Sequence, residues 1–242
     1  MHGATDLLLT RFLDDIVPAV PLVALWAHGS LAAGDYQPGR SDLDLIAVVE
    51  RPINREEWKR LKHLHGALDL PLAEHLHCSY LPQAELGDLK AEHVTWAHEH
   101  LFQRPVTPVT RRELHAGALE LYGPPPGELL PPVSDEELVA FVRTDLEEFW
   151  LANTRGRRHW LTDIWVDLGL LTVARATVTL RDGRLITKRE ALDVLAELDA
   201  PPLVVADIRA RRYDLPRPAL SRFRRAKLAR AFVKTAAKHA LR

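Results

Sequence analysis

The amino-acid sequence predicts an α+β protein with two domains, a mixed sheet with flanking helices followed by an all-helical domain. In the first half, short apolar runs typical of strands are separated by a segment with helical signals. A proline-rich passage at 122–132 then interrupts the chain, and the signals beyond it are helical. We therefore expect an N-terminal domain at 1–127 and a helical domain at 128–242.

The first half contains three candidate strands and two candidate helices. The strands are predicted at 22–28, 42–49 and 73–81, where apolar residues dominate. Apolar residues at helical spacing predict a first helix over 6–16. Asn54 and Glu57 form a capping signal that opens a second helix, which we expect to end near residue 68.

Capping signals also mark the helices of the second half. Ser134 with Glu137 predicts a helix that continues to about Trp150, and Thr187 with Glu190 predicts one through Leu198. The basic, alanine-rich tail at 218–242 predicts a final helix.

The overall composition is that of a globular protein. The chain has 242 residues and a formal net charge of −1, which argues against a nucleic-acid partner. Cys78 is the only cysteine, so no intrachain disulfide can form. The N-terminus lacks a basic segment typical of a signal peptide, and no apolar run approaches membrane-spanning length. We expect a cytoplasmic protein without membrane contacts.

Two aspartates are the first candidate for chemistry. Asp42 and Asp44 are two residues apart on a predicted strand, so their side chains leave the same face. Mg²⁺ prefers oxygen ligands, and it takes its remaining ligands from water and substrate phosphates. The pair is therefore a candidate metal site, although two solvated acids at a strand start would show the same spacing.

A glycine-serine turn precedes these aspartates. Gly29 and Ser30 follow the first predicted strand and open a short helical turn. Glycine allows a phosphate to approach the backbone closely, and the amides at the helix start together with the serine hydroxyl can bind its oxygens. A turn of this kind is common by itself, but its combination with the carboxylate pair is more specific.

The combined pattern, HGS–x3–G–x6–SDLDL, resembles the signature of the DNA polymerase β nucleotidyltransferase superfamily. The matching residues are Gly29, Ser30, Gly34, Ser41, Asp42 and Asp44. The resemblance implies a polymerase β-type catalytic domain in which the two acids bind the catalytic metals, expected to be two Mg²⁺ ions. It also implies that the turn binds the triphosphate of ATP, with Ser41 among the nucleotide-binding residues.

The whole chain is similar to the aminoglycoside 3''-adenylyltransferases, which modify streptomycin and spectinomycin. Trp150 stands where that family carries a tryptophan that packs against the drug, and Arg175 and Lys188 match its nucleotide-binding residues. Each also has an ordinary structural reading, Trp150 as a core residue and the two cations as solvated helix ends. Physically, these cations would neutralise phosphate charge as pyrophosphate leaves.

A cationic drug needs acids in its binding pocket. Asp163 and Asp167 are four residues apart and share a helix face, in the region where the similar family places its drug-binding acids. The segment at 153–158 is instead basic and departs from that family. The identity of the small-molecule substrate is therefore left open.

The third catalytic acid of the similar family is missing. His77 stands where that family carries a glutamate that accepts the proton of the attacking hydroxyl, and alternation places Glu74 on the opposite face. Imidazole accepts protons near neutral pH, so His77 is a candidate base. Alternatively, the chain acts on another acceptor, a protein side chain or a metabolite, or is a weak nucleotide-binding module.

Overall fold

The computed structural model describes residues 3–242, which form two compact units. The first ends at Val133 and the second begins at Ser134. The predicted boundary at 127/128 falls a few residues earlier, inside a short helix. The assignment of separate roles to the two domains stays a prediction.

The first unit is a six-stranded mixed sheet with helices on both faces. Its strands run in the order β5-β4-β3-β2-β1-β6, and only the β2–β3 pair is parallel among the described strands. Its elements are α1 (Gly3–Ile16), β1 (Leu22–Ala27), α2 (Gly29–Ala32), β2 (Leu43–Val49), α3 (Arg55–Gly66), β3 (Leu76–Pro82), β4 (Glu92–Ala97), β5 (His100–Pro105), α4 (Pro108–Gly117), β6 (Leu119–Tyr122) and α5 (Pro126–Leu129).

Alternation along β2 separates two cores. Leu43, Leu45 and Ala47 belong to the core that includes residues of α1 and α3, whereas Ile46 and Val48 belong to the core that includes Leu114 of α4. Asp44 has the same parity as Ile46 and Val48, so it shares their face of the sheet. The α4 face therefore carries the predicted carboxylate.

The sequence predictions for the first unit are confirmed in part. The two predicted helices form where expected, as α1 and α3, and Asn54 and Glu57 make a complete capping box. The strand predicted at 73–81 is wrong at its start, because Ala73–His75 is a 3₁₀ turn and β3 begins at Leu76. Strand alternation therefore does not fix the direction of Glu74. The sequence analysis also missed β4, β5 and β6.

The second unit is helical, as predicted. Its elements are α6 (Asp135–Thr144), a π-helical stretch (Asp145–Leu151), a 3₁₀ turn (His159–Leu161), α7 (Asp163–Asp182), α8 (Lys188–Glu197), α9 (Pro202–Tyr213) and α10 (Arg222–Ala240). Both predicted capping boxes are present, at Ser134 and Thr187. None of the helices within residues 3–242 combines the length and the apolar character needed to cross a membrane.

A buried histidine links the stability of the first unit to pH. His65 of α3 shares a 2.7 Å hydrogen bond with the Tyr80 hydroxyl and stacks on Trp96. Burial lowers the pKa of His65 to about 3. The unfolded chain therefore binds a proton that the folded chain excludes, and stability decreases by about 1.4 kcal/mol per pH unit as pH falls from about 6.5 towards 3.

We expect His65→Gln to remove this dependence, because glutamine can keep a hydrogen bond to Tyr80 without titrating. Urea unfolding at several pH values would show wild type losing roughly 2 kcal/mol more than the variant between about pH 6.5 and pH 5. His63→Gln, at an exposed position of the same helix, should follow wild type. Identical slopes for wild type and His65→Gln would contradict the prediction.

Candidate active site

The two predicted carboxylates lie on either side of one imidazole. Asp42 immediately precedes β2, and Asp44 is the second residue of that strand. The Nδ1 atom of His77 is 3.6 Å from Oδ1 of Asp44, and its Nε2 atom is 3.9 Å from Oδ1 of Asp42. His77 is 8% exposed at the side chain, against 48% for Asp42 and 34% for Asp44. The imidazole is thus partly enclosed while both carboxylates reach solvent.

Strand register explains this arrangement. β2 and β3 pair in parallel, and Asp44 is the direct partner of His77. Side chains of directly paired residues leave the same face of a sheet, so the two groups meet without help from a loop. The sequence prediction that placed His77 beside the carboxylates relied on the family resemblance, and the strand pairing gives it a physical basis.

Two further histidines contact this group. His75 Nδ1 is 3.8 Å from Oδ1 of Asp42, and the His98 ring packs edge-on against His77 at 4.8 Å between centroids. The sequence analysis missed the contact with His98. It depends on the hairpin between β4 and β5, where His98 and Glu99 both have positive φ, and that turn carries no usual Asn-Gly signal.

The glycine-serine turn packs directly against Asp44. Gly29 has φ +63°, and a Cβ atom built there would lie 3.1 Å from Oδ2 of Asp44. The backbone amide of His28 donates to the carbonyl of Asp44 at 3.0 Å. Ser30 lies in α2, immediately after Gly29, and is half-buried. The structure therefore brings the turn and the carboxylate together, as the combined motif predicts.

Ser41 has a structural partner. Ser41 is only 1% exposed, and its Oγ atom accepts a hydrogen bond from the Gln37 backbone amide at 3.1 Å. This bond closes the loop that leads into Asp42. The nucleotide-binding role of Ser41 stays a prediction.

Glu113 of α4 is another residue that sequence reasoning missed. Its Oε2 atom is 3.1 Å from Nδ1 of His28, the residue that precedes the turn. The two residues are 85 positions apart, and no spacing pattern connects them. This contact fastens the turn to α4.

The carboxylates of Asp42 and Asp44 fit a Mg²⁺ ion whose remaining ligands come from water and the substrate. Within residues 3–242 no group of three or more His, Cys, Asp or Glu side chains is arranged to hold a metal without further ligands. Two carboxylates open to solvent are instead typical of Mg²⁺ sites, in which water and phosphate oxygens complete the coordination. Asp42 and Asp44 would hold the ion, and the ion would neutralise phosphate charge.

The predicted drug-binding acids of the second unit lie among arginines. Asp167 forms ion pairs with Arg211, and Asp163 forms one with Arg225 and another, at 3.3 Å, with Arg217. Asp163 is nevertheless 42% exposed at the side chain and Asp167 25%. Their charge is largely balanced within the unit, which weakens the attraction of either acid for a cationic ligand. Their role in binding stays a prediction.

Trp150 is packed in the helical core. It is 6% exposed, it contacts the rings of Phe149 and Trp165, and its side chain is hydrogen-bonded to Asp145. Gly169 of α7 leaves room for this packing, because a Cβ atom there would lie 3.2 Å from the Trp150 ring. The π-helical stretch carries both Trp150 and Asp145, and a contact between Trp150 and a drug stays a prediction.

The two predicted nucleotide-binding cations are close in the second unit. The Nε atom of Arg175 donates to the carbonyl of Ile186 at 2.8 Å, which ties α7 to the segment leading into α8. Lys188 is the first residue of α8 and is half-buried. Thr187 caps this helix, so its positive end lies beside Lys188. The arrangement is compatible with anion binding, which stays a prediction for both residues.

A family model matches most of the first unit. Residues 9–122 match the model of the nucleotidyltransferase domain. The matched range contains the turn, both carboxylates and His77. This part of the chain is therefore similar to a nucleotidyltransferase domain. No curated protein matches the sequence.

A solved structure resembles nearly the whole chain. The spectinomycin adenyltransferase AAD(9) from Enterococcus faecialis, in a crystal structure with ATP and spectinomycin, matches with a TM-score of 0.73. The alignment covers 95% of this chain and 99% of that chain, at 15% sequence identity. The chain thus has the fold predicted from sequence, a nucleotidyltransferase domain with a mixed sheet followed by a helical domain.

The contact between Gly29 and Asp44 leads to a testable prediction for the first unit. Gly29→Ala should lower nucleotidyl transfer at least about tenfold, because the new methyl group displaces the carboxylate and changes the turn. Gly39→Ala is the matched control: Gly39 has φ +72°, and a Cβ atom there meets only a Leu72 methyl at 3.9 Å. Both variants carry a similar backbone penalty of roughly 1 kcal/mol. Equal activity of the two variants would contradict the prediction.

Proposed function

We propose that the chain transfers AMP from ATP to a hydroxyl of a small cationic substrate and releases pyrophosphate. The substrate class is an aminoglycoside or aminocyclitol such as streptomycin or spectinomycin. Support for the chemistry comes from the nucleotidyltransferase domain at 9–122. Support for the substrate class comes from a similar fold solved with ATP and spectinomycin.

The observation that carries the proposal is the position of His77 between Asp42 and Asp44, beside the turn at Gly29. A nucleotidyl transfer requires an anchor for the triphosphate, negative ligands for a divalent cation and a proton acceptor. The turn, the two carboxylates and the imidazole supply these three elements on one face of the sheet. Mg²⁺ held by the carboxylates would stabilise the charge that develops on the phosphates.

In this mechanism His77 accepts the proton of the attacking hydroxyl. The hydroxyl oxygen bonds to the α-phosphorus as the bond to pyrophosphate breaks, and the proton passes to a ring nitrogen of His77. The imidazolium that forms lies within 4 Å of two carboxylates, which stabilise its positive charge. Arg175 and Lys188 would bind phosphate oxygens and balance the charge of the leaving pyrophosphate.

The base assignment predicts how His77 variants behave. His77→Ala should lower AMP transfer about 100-fold, because proton transfer by a positioned base contributes on this scale. His77→Glu should keep substantially more activity than His77→Ala, since a carboxylate can accept the same proton. His115→Ala, at a half-buried histidine of α4 outside the site, serves as the control. Equal activity of wild type and His77→Ala would exclude the imidazole as the base.

A specific observation favours a second candidate function, transfer to a different acceptor. Asp163 and Asp167 are paired with arginines, so the acids expected to attract a drug are already neutralised. The acceptor would then be a protein side chain or a metabolite, and Asp42, Asp44 and His77 would keep their roles. A nucleotide-binding module of low activity remains the alternative if no acceptor is modified.

The deciding experiment measures pyrophosphate release from ATP and Mg²⁺ with a panel of aminoglycosides and spectinomycin. Mass spectrometry of the drug should show the added AMP. Release that requires both a drug and Asp42 would support the proposal, with Asp42→Ala as the inactive control. If no drug in the panel causes pyrophosphate release while ATP still binds, the acceptor is another molecule.

A further inference from the structure

The second unit contains a groove that no predicted site residue lines. It has a volume of about 530 Å³ and lies between the segment around 157–161 and the first half of α10. Trp160, which is fully buried, contributes to its floor together with Ala226. Phe223 at the edge of the groove is 63% exposed, and the Arg222 guanidinium lies over one face of its ring, 4.9 Å from the centroid. The volume falls in the range of small-molecule sites.

Positively charged side chains make up half of the residues that line the groove. Four of the side chains that line it carry a positive charge, Arg157, Arg158, Lys227 and Arg230, and no carboxylate is among the described lining residues. Like charges held close together repel each other unless an anion lies between them. The chain as a whole has a net charge of −1, so this concentration of positive charge is local rather than general.

The start of α10 adds to the positive potential. The helix has 19 residues, Ser221 caps it, and its first turn contains no acidic residue. Arg222 and Arg224 lie there instead. Cations are unfavourable at the positive end of a helix dipole, whereas an anion is favourable. The groove and the helix start therefore both select negatively charged ligands.

Hydrogen bonds fix the walls of the groove. The side chain of Arg230 donates to the carbonyl of Thr154 at 3.0 Å, and the Trp160 indole donates to the carbonyl of Asn153 at 3.1 Å. These bonds tie the 153–161 segment to α10. A ligand would thus meet a partly formed site, in which the exposed side chains of Arg157, Arg158 and Lys227 would still have to be ordered.

We propose that this groove binds a nucleoside phosphate, with the phosphates on Arg157, Arg158 and Lys227 and the planar base against Phe223. Arginine matches phosphate geometry, and bases stack on exposed aromatic rings. A compact ligand suits a groove of this volume better than a nucleic acid strand does. The site is independent of the proposed transfer reaction, because it shares no residue with it.

The test is calorimetric titration of the full-length chain with ADP. Arg157→Gln combined with Lys227→Gln should weaken one component of ADP binding at least about tenfold, because two charge-assisted contacts are lost. Lys234→Gln combined with Lys238→Gln is the matched control, since these exposed lysines lie on the same helix outside the groove. The control and Asp44→Asn should both keep that component.

Two outcomes would overturn the proposal. The first is ADP binding that the groove and control variants change equally. The second is a short single-stranded RNA that binds more tightly than ADP and loses this affinity in the groove variant, since that would assign the groove to nucleic acid. Circular dichroism of each variant establishes that the helical unit is folded, so a loss of binding reports on the groove.

Discussion

Asp44→Asn is expected to lower AMP transfer by at least about 1,000-fold, or roughly 4 kcal/mol of transition-state stabilisation. Asp44 is the carboxylate that contacts both the Gly29 turn and His77. An amide of the same shape keeps the packing but loses the negative charge that would hold a divalent cation and stabilise the imidazolium. The measurement is kcat/KM for pyrophosphate release with saturating Mg²⁺.

The structure offers a control just beyond the other end of the same strand. Glu50 directly follows β2 at its opposite end and is exposed, so Glu50→Gln makes the same chemical change away from the site. We expect this variant to retain wild-type activity. Because the Asp44 side chain is 34% exposed, Asp44→Asn should unfold at nearly the same urea concentration as wild type. Activity within about tenfold of wild type in a folded Asp44→Asn protein would refute the metal-site assignment.

Asp207→Ala is expected to lower the free energy of unfolding by about 3–5 kcal/mol, because it removes a buried carboxylate that three arginines share. Asp207 of α9 is 3% exposed at the side chain and accepts hydrogen bonds from Arg211, Arg217 and Arg225. Burial alone would raise the pKa of Asp207, but hydrogen bonds from Arg211 and Arg217 lower it below its ordinary value. The carboxylate is therefore ionised in the fold.

An ion pair at the surface gives the comparison for this prediction. Asp193 pairs with Arg209 at 2.9 Å, and its side chain is 69% exposed. Asp193→Ala should change stability by less than about 1 kcal/mol. Urea unfolding of both variants, followed by circular dichroism, measures the difference between them. Similar small losses would mean that solvent or nearby Asp163 replaces the missing carboxylate.

The parts of the fold that sequence predicted are those with a local cause. The capping boxes at Asn54, Ser134 and Thr187 open helices in the structure because the signal and the hydrogen bonds lie within four residues. β4 was missed because its alternation places His93 and Thr95 in the interior, where a polar side chain gives no strand signal. β5, which pairs with β4 in a hairpin, and β6 become strands because they pair with a neighbouring strand, and their own residues give no clear strand signal.

In the candidate site too, sequence predicted the parts with a local cause and missed the contacts between distant segments. Asp42, Asp44 and the turn could be predicted because they are close in sequence and form one motif. The contacts of His98 with His77 and of Glu113 with His28 join distant segments, and only tertiary packing creates them. The arginine partners of Asp163 and Asp167 lie on α9, on α10 and between them, so helical spacing within α7 could not reveal them.

The register of β2 and β3 has a consequence for how the candidate catalytic group could change. Seven consecutive residue pairs hold the two strands together, and position 77 is fixed opposite position 44 by the backbone alone. A new side chain at 77 would occupy the same place whatever its chemistry. The proposed proton acceptor can therefore be replaced by a single substitution, from imidazole to carboxylate, while the sheet, the turn and the aspartates keep their positions.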